Sequence, residues 1–161
     1  DEVYNLTIIR GTLTKEERAI INNHINVTIN MLESLPYPKD LSRVPEYAGG
    51  HHERMDGKGY PKGLTRDQMS IPARIMGVAD IFEALTAKDR PYKKAKTLSE
   101  SLTILGRMSL DNHIDPDVFN LFIREKVYLR YAEMFLESEQ IDEVNEAKIP
   151  GYSEFGVINM L

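Results

Sequence analysis

Apolar residues recur along the chain at intervals of three and four, which is the spacing of one face of an α-helix. The first clear case follows Thr14, which forms a capping box with Glu17. At helical spacing the segment then carries a run of apolar and small side chains, namely Ile20, Ile21, Thr28, Met31, Leu32 and Leu35. His24 lies one turn after the first of these, so we expect it on the same inward side. Pro36 and Pro38 end the helix.

Two further helices follow. Asp40 is placed to cap a helix that runs from about Val44 to the adjacent His51 and His52. Ser70 precedes a strongly apolar helix that we expect over residues 71 to 86, with a proline in its first turn. A carboxylate, Asp80, lies in the middle of that apolar helix, where we expect it to be buried.

The same period continues through the second half of the chain. Residues 97–110 predict an amphipathic helix, and Asp115 followed by Pro116 predicts the start of another that continues to Phe135. No segment alternates apolar and polar residues as a strand does. The pattern therefore predicts an all-α fold. We expect one domain over residues 1–136 and an acidic, loosely packed tail over residues 137–161.

Composition narrows the class of protein. The 161 residues are 42% hydrophobic and 28% charged, as in an ordinary globular domain. There is no cysteine, which excludes disulfides and thiolate metal sites. The net charge of −5 argues against general nucleic-acid binding, which needs a basic face. No apolar run approaches the roughly 20 residues of a membrane span, and we expect a cytoplasmic protein.

The segment HHERMDGKGYPKGL, residues 51–64, holds two of the four histidines and three glycines. Glycine lets backbone N–H groups approach phosphate oxygens closely, and Tyr60 offers a ring and a hydroxyl. Lys58, Lys62 and Arg66 make the segment locally basic. A plain surface loop is the alternative. For the histidine pair, the alternative is one buried and one solvated side chain. His113, which lies in a polar loop, is expected to have a structural role.

Four residues form a candidate metal-ligand set: His24, His51, His52 and Asp80. Imidazole and carboxylate ligands together suit iron, manganese, nickel or zinc better than calcium or magnesium. Helical domains commonly build such sites from inward side chains on facing helices. Each residue taken alone is equally consistent with a structural role.

The segment 51–64, followed by IPARIMGVADIFEALTAKDRPYKK and then HIDPDVFNLF, resembles the HD-GYP subfamily of HD-type metal-dependent phosphohydrolases. The resemblance runs from about Leu13 to Phe122. It implies an HD-like bundle of five to seven helices, a centre of two or three metal ions, often iron or manganese, and hydrolysis of cyclic di-GMP to pGpG or GMP by a metal-bridging hydroxide.

Carried over to this chain, the resemblance makes His24, His51, His52 and Asp80 metal ligands, and gives Asp80 its catalytic role through the metal. It implies that the substrate's phosphates and base are held by four residues: Gly59, Tyr60, Arg90 and Lys93. The family is named for an adjacent His-Asp pair, and no such pair occurs in these 161 residues. We expect that pair, and the first helices of the bundle, to lie upstream of Asp1.

Three functions remain open from sequence. The first is a cyclic di-GMP phosphodiesterase. The second is an incomplete HD-GYP module that binds cyclic di-GMP or a signalling partner, such as a diguanylate cyclase domain, without turnover. The third is a hydrolase of another phosphodiester. An upstream sensor or receiver domain and a homodimer are the further partners we expect, and no DNA.

Overall fold

The computed structural model describes residues 14–87 and 95–154, and helices are the regular elements of both ranges. There are six α-helices in these ranges: α1 (Lys15–Glu33), α2 (Val44–Gly49), α3 (Ile71–Thr86), α4 (Leu98–Leu110), α5 (Pro116–Arg124) and α6 (Val127–Phe135). Short 3-10 turns lie at Lys39–Leu41, Arg66–Gln68, Ser138–Gln140 and Glu146–Lys148. Strands are absent from the described residues, and the predicted all-α class is confirmed.

The chain divides into two compact units, one up to Gly49 and one from Gly50. In the first unit α1 begins as predicted, because the Thr14 hydroxyl accepts from the Glu17 N–H and the Glu17 carboxylate accepts from the Thr14 N–H. Within this unit α1 packs against α2, and an added side chain on Gly49 would press into Ile29.

The inward face of α1 is not the face that we expected. Ile25 is fully buried, whereas Ile20 is 72% exposed, Met31 is 60% exposed and His24 is also exposed. The helix carries two apolar stripes, and its spacing alone does not decide between them. The stripe through Ile25 and Ile29 faces inward, so the predicted inward position of His24 is wrong.

The core of the second unit lies among α3 to α6. Its fully or nearly buried members come from all four helices and include Val78, Phe82, Leu98, Leu102, Leu105, Phe119, Ile123, Tyr128 and Ala132. Phe82 makes edge contacts with the rings of Phe122 and Tyr131, at centroid distances of 5.0 and 5.4 Å. Edge-to-face packing of this kind adds to the free energy gained by burying the rings.

The single helix predicted from Asp115 to Phe135 is in fact two helices. The chain breaks at Glu125 and Lys126, and Lys126 has a positive φ of 51°. The break gives α6 its own direction, and both Tyr128 and Ala132 then enter the core. Neither glycine nor proline occurs at this point, so the helical spacing of apolar residues continues across the break.

The segment after Glu137 packs more tightly than its acidic composition suggests. Ile149 is 7% exposed and belongs to the core, and the Gln140 side-chain amide donates to the carbonyls of Thr86 (2.8 Å) and Lys96 (3.2 Å). The expectation of loose packing is therefore wrong for these residues, because a few buried contacts hold an otherwise polar segment. The domain boundary at 136/137 stays a prediction.

None of the described helices combines the length and the apolar character that a membrane span needs.

Candidate functional site

His51 and His52 lie just after α2, in a turn. The helix ends at Gly49, so the predicted continuation to His52 is wrong, and two consecutive glycines account for the stop. Both imidazoles are half-buried, and their ring centroids are 4.1 Å apart with the planes inclined by 43°. The alternative of one buried and one solvated histidine is therefore not what the structure shows.

The segment after the histidines closes on itself, and we call residues 53–66 the glycine loop. Asp56 and Thr65 form an isolated antiparallel bridge, and the Arg66 N–H donates to the carbonyl of Met55 at 3.2 Å. Gly57 and Gly63 have positive φ values of 75° and 66°, which other residues rarely adopt. The loop is thus a defined structural element held at its base.

Gly59 lies against the backbone at the start of the glycine loop. A Cβ added at Gly59 would collide with the Arg54 nitrogen and lie 2.5 Å from the Glu53 Cα. This close approach explains why glycine is needed here, without any ligand. Its predicted contact with phosphate stays a prediction.

We expect Gly59→Ala to destabilise the protein by about 1–3 kcal/mol, the usual penalty for overpacking, because the backbone it meets cannot rotate away as a side chain can. Thermal or urea unfolding measures this effect. Gly77→Ala is the matched control, since its Cβ would meet the nearest atom, the His51 carbonyl oxygen, at an ordinary 3.4 Å. Helix propensity then predicts no loss or a small gain for the control. Equal destabilisation by both variants would contradict this account.

Tyr60 lies on His52, the second residue of the histidine pair. Its ring stacks on the His52 imidazole with centroids 4.8 Å apart and planes within 19°, and its backbone N–H donates to the His52 carbonyl at 3.3 Å. Burial, and next the negative charge of Asp80, raise the pKa of the Tyr60 phenol above its ordinary value. The hydroxyl therefore stays protonated at neutral pH and can donate a hydrogen bond to an anion.

Asp80 is exposed on α3, which corrects the burial that we expected from its apolar surroundings in the sequence. The apolar residues of α3 do not all face the core, since Ile75 and Met76 are also exposed. Gly77, almost one turn before Asp80, lies against the His51 carbonyl. Because the charge of Asp80 also acts on Tyr60, the structure brings the carboxylate, the phenol and the two histidines into one region of the second unit.

Four further residues were singled out from the sequence: His24, Arg90, Lys93 and His113. His24 is on α1 in the first unit, with an exposed side chain. Arg90 and Lys93 lie outside the described residues. His113 was expected to have a structural role, and its Nδ1 lies 3.3 Å from Arg54 Nη1. Burial and the neighbouring guanidinium lower the pKa of His113, which favours the neutral ring that accepts this bond.

Sequence reasoning missed the ion pairs that hold the two ends of the glycine loop. Arg54 makes two parallel 3.0 Å bonds to Asp56, and its hydrogen bonds hold the pKa of that carboxyl well below its usual range. At the far end, Arg66 Nε donates to Asp115 (3.0 Å) and Arg66 Nη2 donates to Asp117 (2.6 Å). These partners are 49 and 51 residues apart, so no local pattern reveals the pairs.

Asp115 is the centre of this network. Its side chain is fully buried and accepts from Arg66 and from Arg74 Nη1, the latter at 2.6 Å. The other carboxylate oxygen caps α5 by accepting from the N–H groups of Asp117 and Val118. Burial alone would raise the pKa of Asp115, but the bonds from Arg74 and Arg66 outweigh it and lower the pKa.

The residues of the second unit fit a divalent metal by the chemistry of their donors. His51 and His52 offer neighbouring half-buried imidazoles, and Asp80 offers a carboxylate in the same region. A mixed nitrogen and oxygen set of this kind suits iron, manganese, nickel and zinc.

Comparison with known proteins identifies the family. A sequence model described as "HD domain" matches residues 1–118. The chain is 42% identical over 114 residues to the 3'3'-cGAMP-specific phosphodiesterase 1 of Vibrio cholerae, covering 71% of this chain and 26% of that protein. It is 35% identical over 137 residues to a cyclic di-GMP phosphodiesterase of Pseudomonas aeruginosa, covering 84% and 32%.

A third relative, the cyclic di-GMP phosphodiesterase of Thermotoga maritima, is 36% identical over 114 residues, which cover 71% of this chain and 30% of the relative. The chain thus spans between about a quarter and a third of the length of these relatives. HD-domain phosphohydrolases depend on metal ions, in agreement with the donors found here. The chain belongs to the HD domain family, in the HD-GYP branch that its histidine and glycine-loop sequence resembles.

Proposed function

We propose that this chain forms part of a metal-dependent phosphodiesterase that hydrolyses cyclic di-GMP, to pGpG, GMP or both. The observation that carries the proposal is the arrangement in the second unit, where Tyr60 stacks on His52, His52 adjoins His51, and the charge of Asp80 raises the pKa of Tyr60. The names of the relatives support the same class of substrate. The high identity to a 3'3'-cGAMP-specific relative makes that cyclic dinucleotide the first competitor to test.

His24, His51, His52 and Asp80 are the proposed metal ligands. Each of the three histidines offers one imidazole nitrogen, and Asp80 offers carboxylate oxygens. Iron or manganese are the proposed metals, in a centre of two or three ions whose further ligands lie outside this set. Such a metal centre supplies Lewis acidity toward phosphate oxygens and a water of lowered pKa.

The chain's own residues bind and orient the substrate in this proposal. The protonated Tyr60 hydroxyl donates to a phosphate oxygen, and its ring stands beside His52 as a wall of the site. Lys58 and Lys62 are exposed on the glycine loop and attract the dianionic substrate. By resemblance, Arg90 and Lys93 complete the phosphate contacts, where a guanidinium forms two parallel bonds.

A second candidate is a module that binds the cyclic dinucleotide without cleaving it. The 161 residues contain no His-Asp pair, and this favours such a module if no other residues complete the metal centre. Here the glycine loop and Tyr60 would hold the ligand or a diguanylate cyclase domain. Binding without metal-dependent turnover separates this candidate from the first.

Metal content and turnover test the proposal together. We would purify the protein anaerobically, count iron and manganese per chain, and follow cleavage of cyclic di-GMP and 3'3'-cGAMP by chromatography. We expect two or more bound ions and release of linear product. His52→Ala should lower the metal content, whereas His113→Gln, which alters a histidine outside the proposed ligands, should not. Binding without cleavage would favour the second candidate, and neither binding nor cleavage would overturn both.

We also propose an upstream sensor or receiver domain, a homodimer and a cytoplasmic location, as the resemblance and composition lead us to expect. Light scattering tests the dimer, and a monodisperse monomer would contradict it. Fractionation of the source cells tests the location, and recovery outside the cytoplasm without a membrane tether would contradict it. Sequencing upstream of Asp1 tests the additional domain, and a chain without one would contradict it.

A further inference from the structure

Glu53 is a buried carboxylate next to the histidine pair. Glu53 is 4% exposed and directly follows His52 in the sequence. One carboxylate oxygen accepts from the N–H of Lys62 at 2.7 Å, and the other accepts from the N–H of Leu64 at 2.9 Å. Burying a carboxylate is costly, so a position that retains one needs bonds that only a carboxylate makes well.

The two bonds act on the part of the glycine loop that carries Tyr60. Gly59 packs on the Glu53 and Arg54 backbone, and the Tyr60 N–H donates to the His52 carbonyl. Glu53 then fixes the chain two and four residues beyond Tyr60. The tyrosine is therefore held from both sides, by the His52 backbone before it and by the Glu53 side chain after it.

We propose that Glu53 is a positioning residue, which sets the Tyr60 ring on His52 so that Tyr60 can receive the cyclic dinucleotide. The inference rests on the proposed function and deepens it. Glu53 touches neither substrate nor metal in this account. It acts through the loop backbone, and its effect should appear in substrate binding rather than in the chemical step.

Chemistry distinguishes a carboxylate from an amide at this position. A carboxylate can accept from both N–H groups, whereas glutamine of the same size offers one oxygen and one NH2 group. Glu53→Gln therefore places a donor against a donor at Lys62 or Leu64 and leaves a buried N–H without an acceptor. Glu53→Asp keeps the charge but is shorter by one methylene, so it should recover part of the effect.

A double-mutant cycle tests the proposal. In the metal-loaded protein we expect Glu53→Gln to raise KM for cyclic di-GMP about tenfold, the equivalent of one unsatisfied donor, with kcat and bound metal nearly unchanged. In a Tyr60→Ala background the same substitution should change KM less than twofold, because the side chain that it positions is gone. Glu133→Gln, an exposed glutamate on α6, is the matched control and should change nothing.

Hydrogen exchange of the peptide spanning residues 59–64 gives a readout without substrate. Glu53→Gln should speed exchange there and leave α4 protected, and Glu53→Asp should lie between the two. Unchanged exchange, equal KM effects in both backgrounds, or a loss confined to kcat and metal content would each overturn the positioning role. A wild-type protein that neither binds nor cleaves a cyclic dinucleotide would overturn the proposed function and the substrate-binding part of this inference, whatever exchange shows.

Discussion

Replacing Asp115 by alanine is expected to lower the free energy of unfolding by about 3–5 kcal/mol, the cost of removing one partner from a buried ion pair. The carboxylate is fully buried and accepts from Arg66 and Arg74. Arg74 is itself almost fully buried, so alanine would leave its guanidinium charge without that partner. The same substitution removes the cap of α5.

Urea unfolding of wild type and Asp115→Ala measures the difference. Glu125→Ala is the control, because the Arg124–Glu125 pair is well exposed and a surface pair contributes less than about 1 kcal/mol. Asp115→Asn retains the shape and an acceptor while removing the charge, and should fall between the two. A loss below 1 kcal/mol for Asp115→Ala would show that Arg74 finds another partner.

Lowering the pH should reduce the free energy of unfolding of the wild-type protein by part of the same amount. The pKa of Asp115 is lower in the folded protein than its ordinary value, so the folded state favours the ionised form. Its contribution to stability is complete above the unfolded-state pKa of about 4 and is lost as the pH falls toward the folded-state pKa. Asp115→Asn should show a shallower decline of stability below pH 4, and equal slopes would contradict the assignment.

Replacing Asp80 by alanine is expected to reduce turnover of cyclic di-GMP by at least about 100-fold. Mutation of a residue that only supports a metal ligand costs up to about 100-fold, and loss of a ligand itself should cost no less. The proposal makes Asp80 a metal ligand, so bound metal should fall in parallel. Stability should change little, because the Asp80 side chain is exposed on α3. Metal analysis, steady-state kinetics and thermal unfolding on the same preparation measure all three quantities.

Glu83→Ala provides the matched control for Asp80. Glu83 is also exposed on α3, one turn closer to its end, and carries the same charge. It should retain metal and turnover. Full activity in Asp80→Ala would remove this residue from the metal centre, whereas equal losses in both variants would point to general electrostatics of the helix rather than to ligation.

The helices of this protein could be predicted because their local signals agree with their packing. Thr14 and Asp115 were recognisable as caps, and each caps its helix in the structure. The break at Lys126 could not be predicted, since Lys126 has a positive φ without being a glycine, and the packing of Tyr128 and Ala132 in the core leaves no local sequence signal. The face of α1 was ambiguous for a related reason, because both of its stripes are apolar.

The candidate site was predictable in its residue types but not in its arrangement. The histidine pair and Tyr60 were evident from the sequence, yet their stacking depends on Gly59 packing against the preceding backbone. Asp80 was expected to be buried because its neighbours in sequence are apolar, and the structure shows that it is exposed. Contacts such as Arg66 with Asp115 join distant segments, which no local pattern in a single sequence records.

The Asp115 carboxylate contacts both α5 and the glycine loop, so the local unfolding of one is linked to that of the other. Asp115 caps α5 through one oxygen and holds the end of the glycine loop through the other. Fraying of the helix would release Arg66, and loosening of the loop would weaken the cap. A ligand that binds the ordered loop would also stabilise the first turn of α5. By thermodynamic reciprocity, a partner that binds this turn would raise the affinity of the loop for that ligand by the same factor. The stability of the first turn of α5 is therefore linked to the stability of the glycine loop.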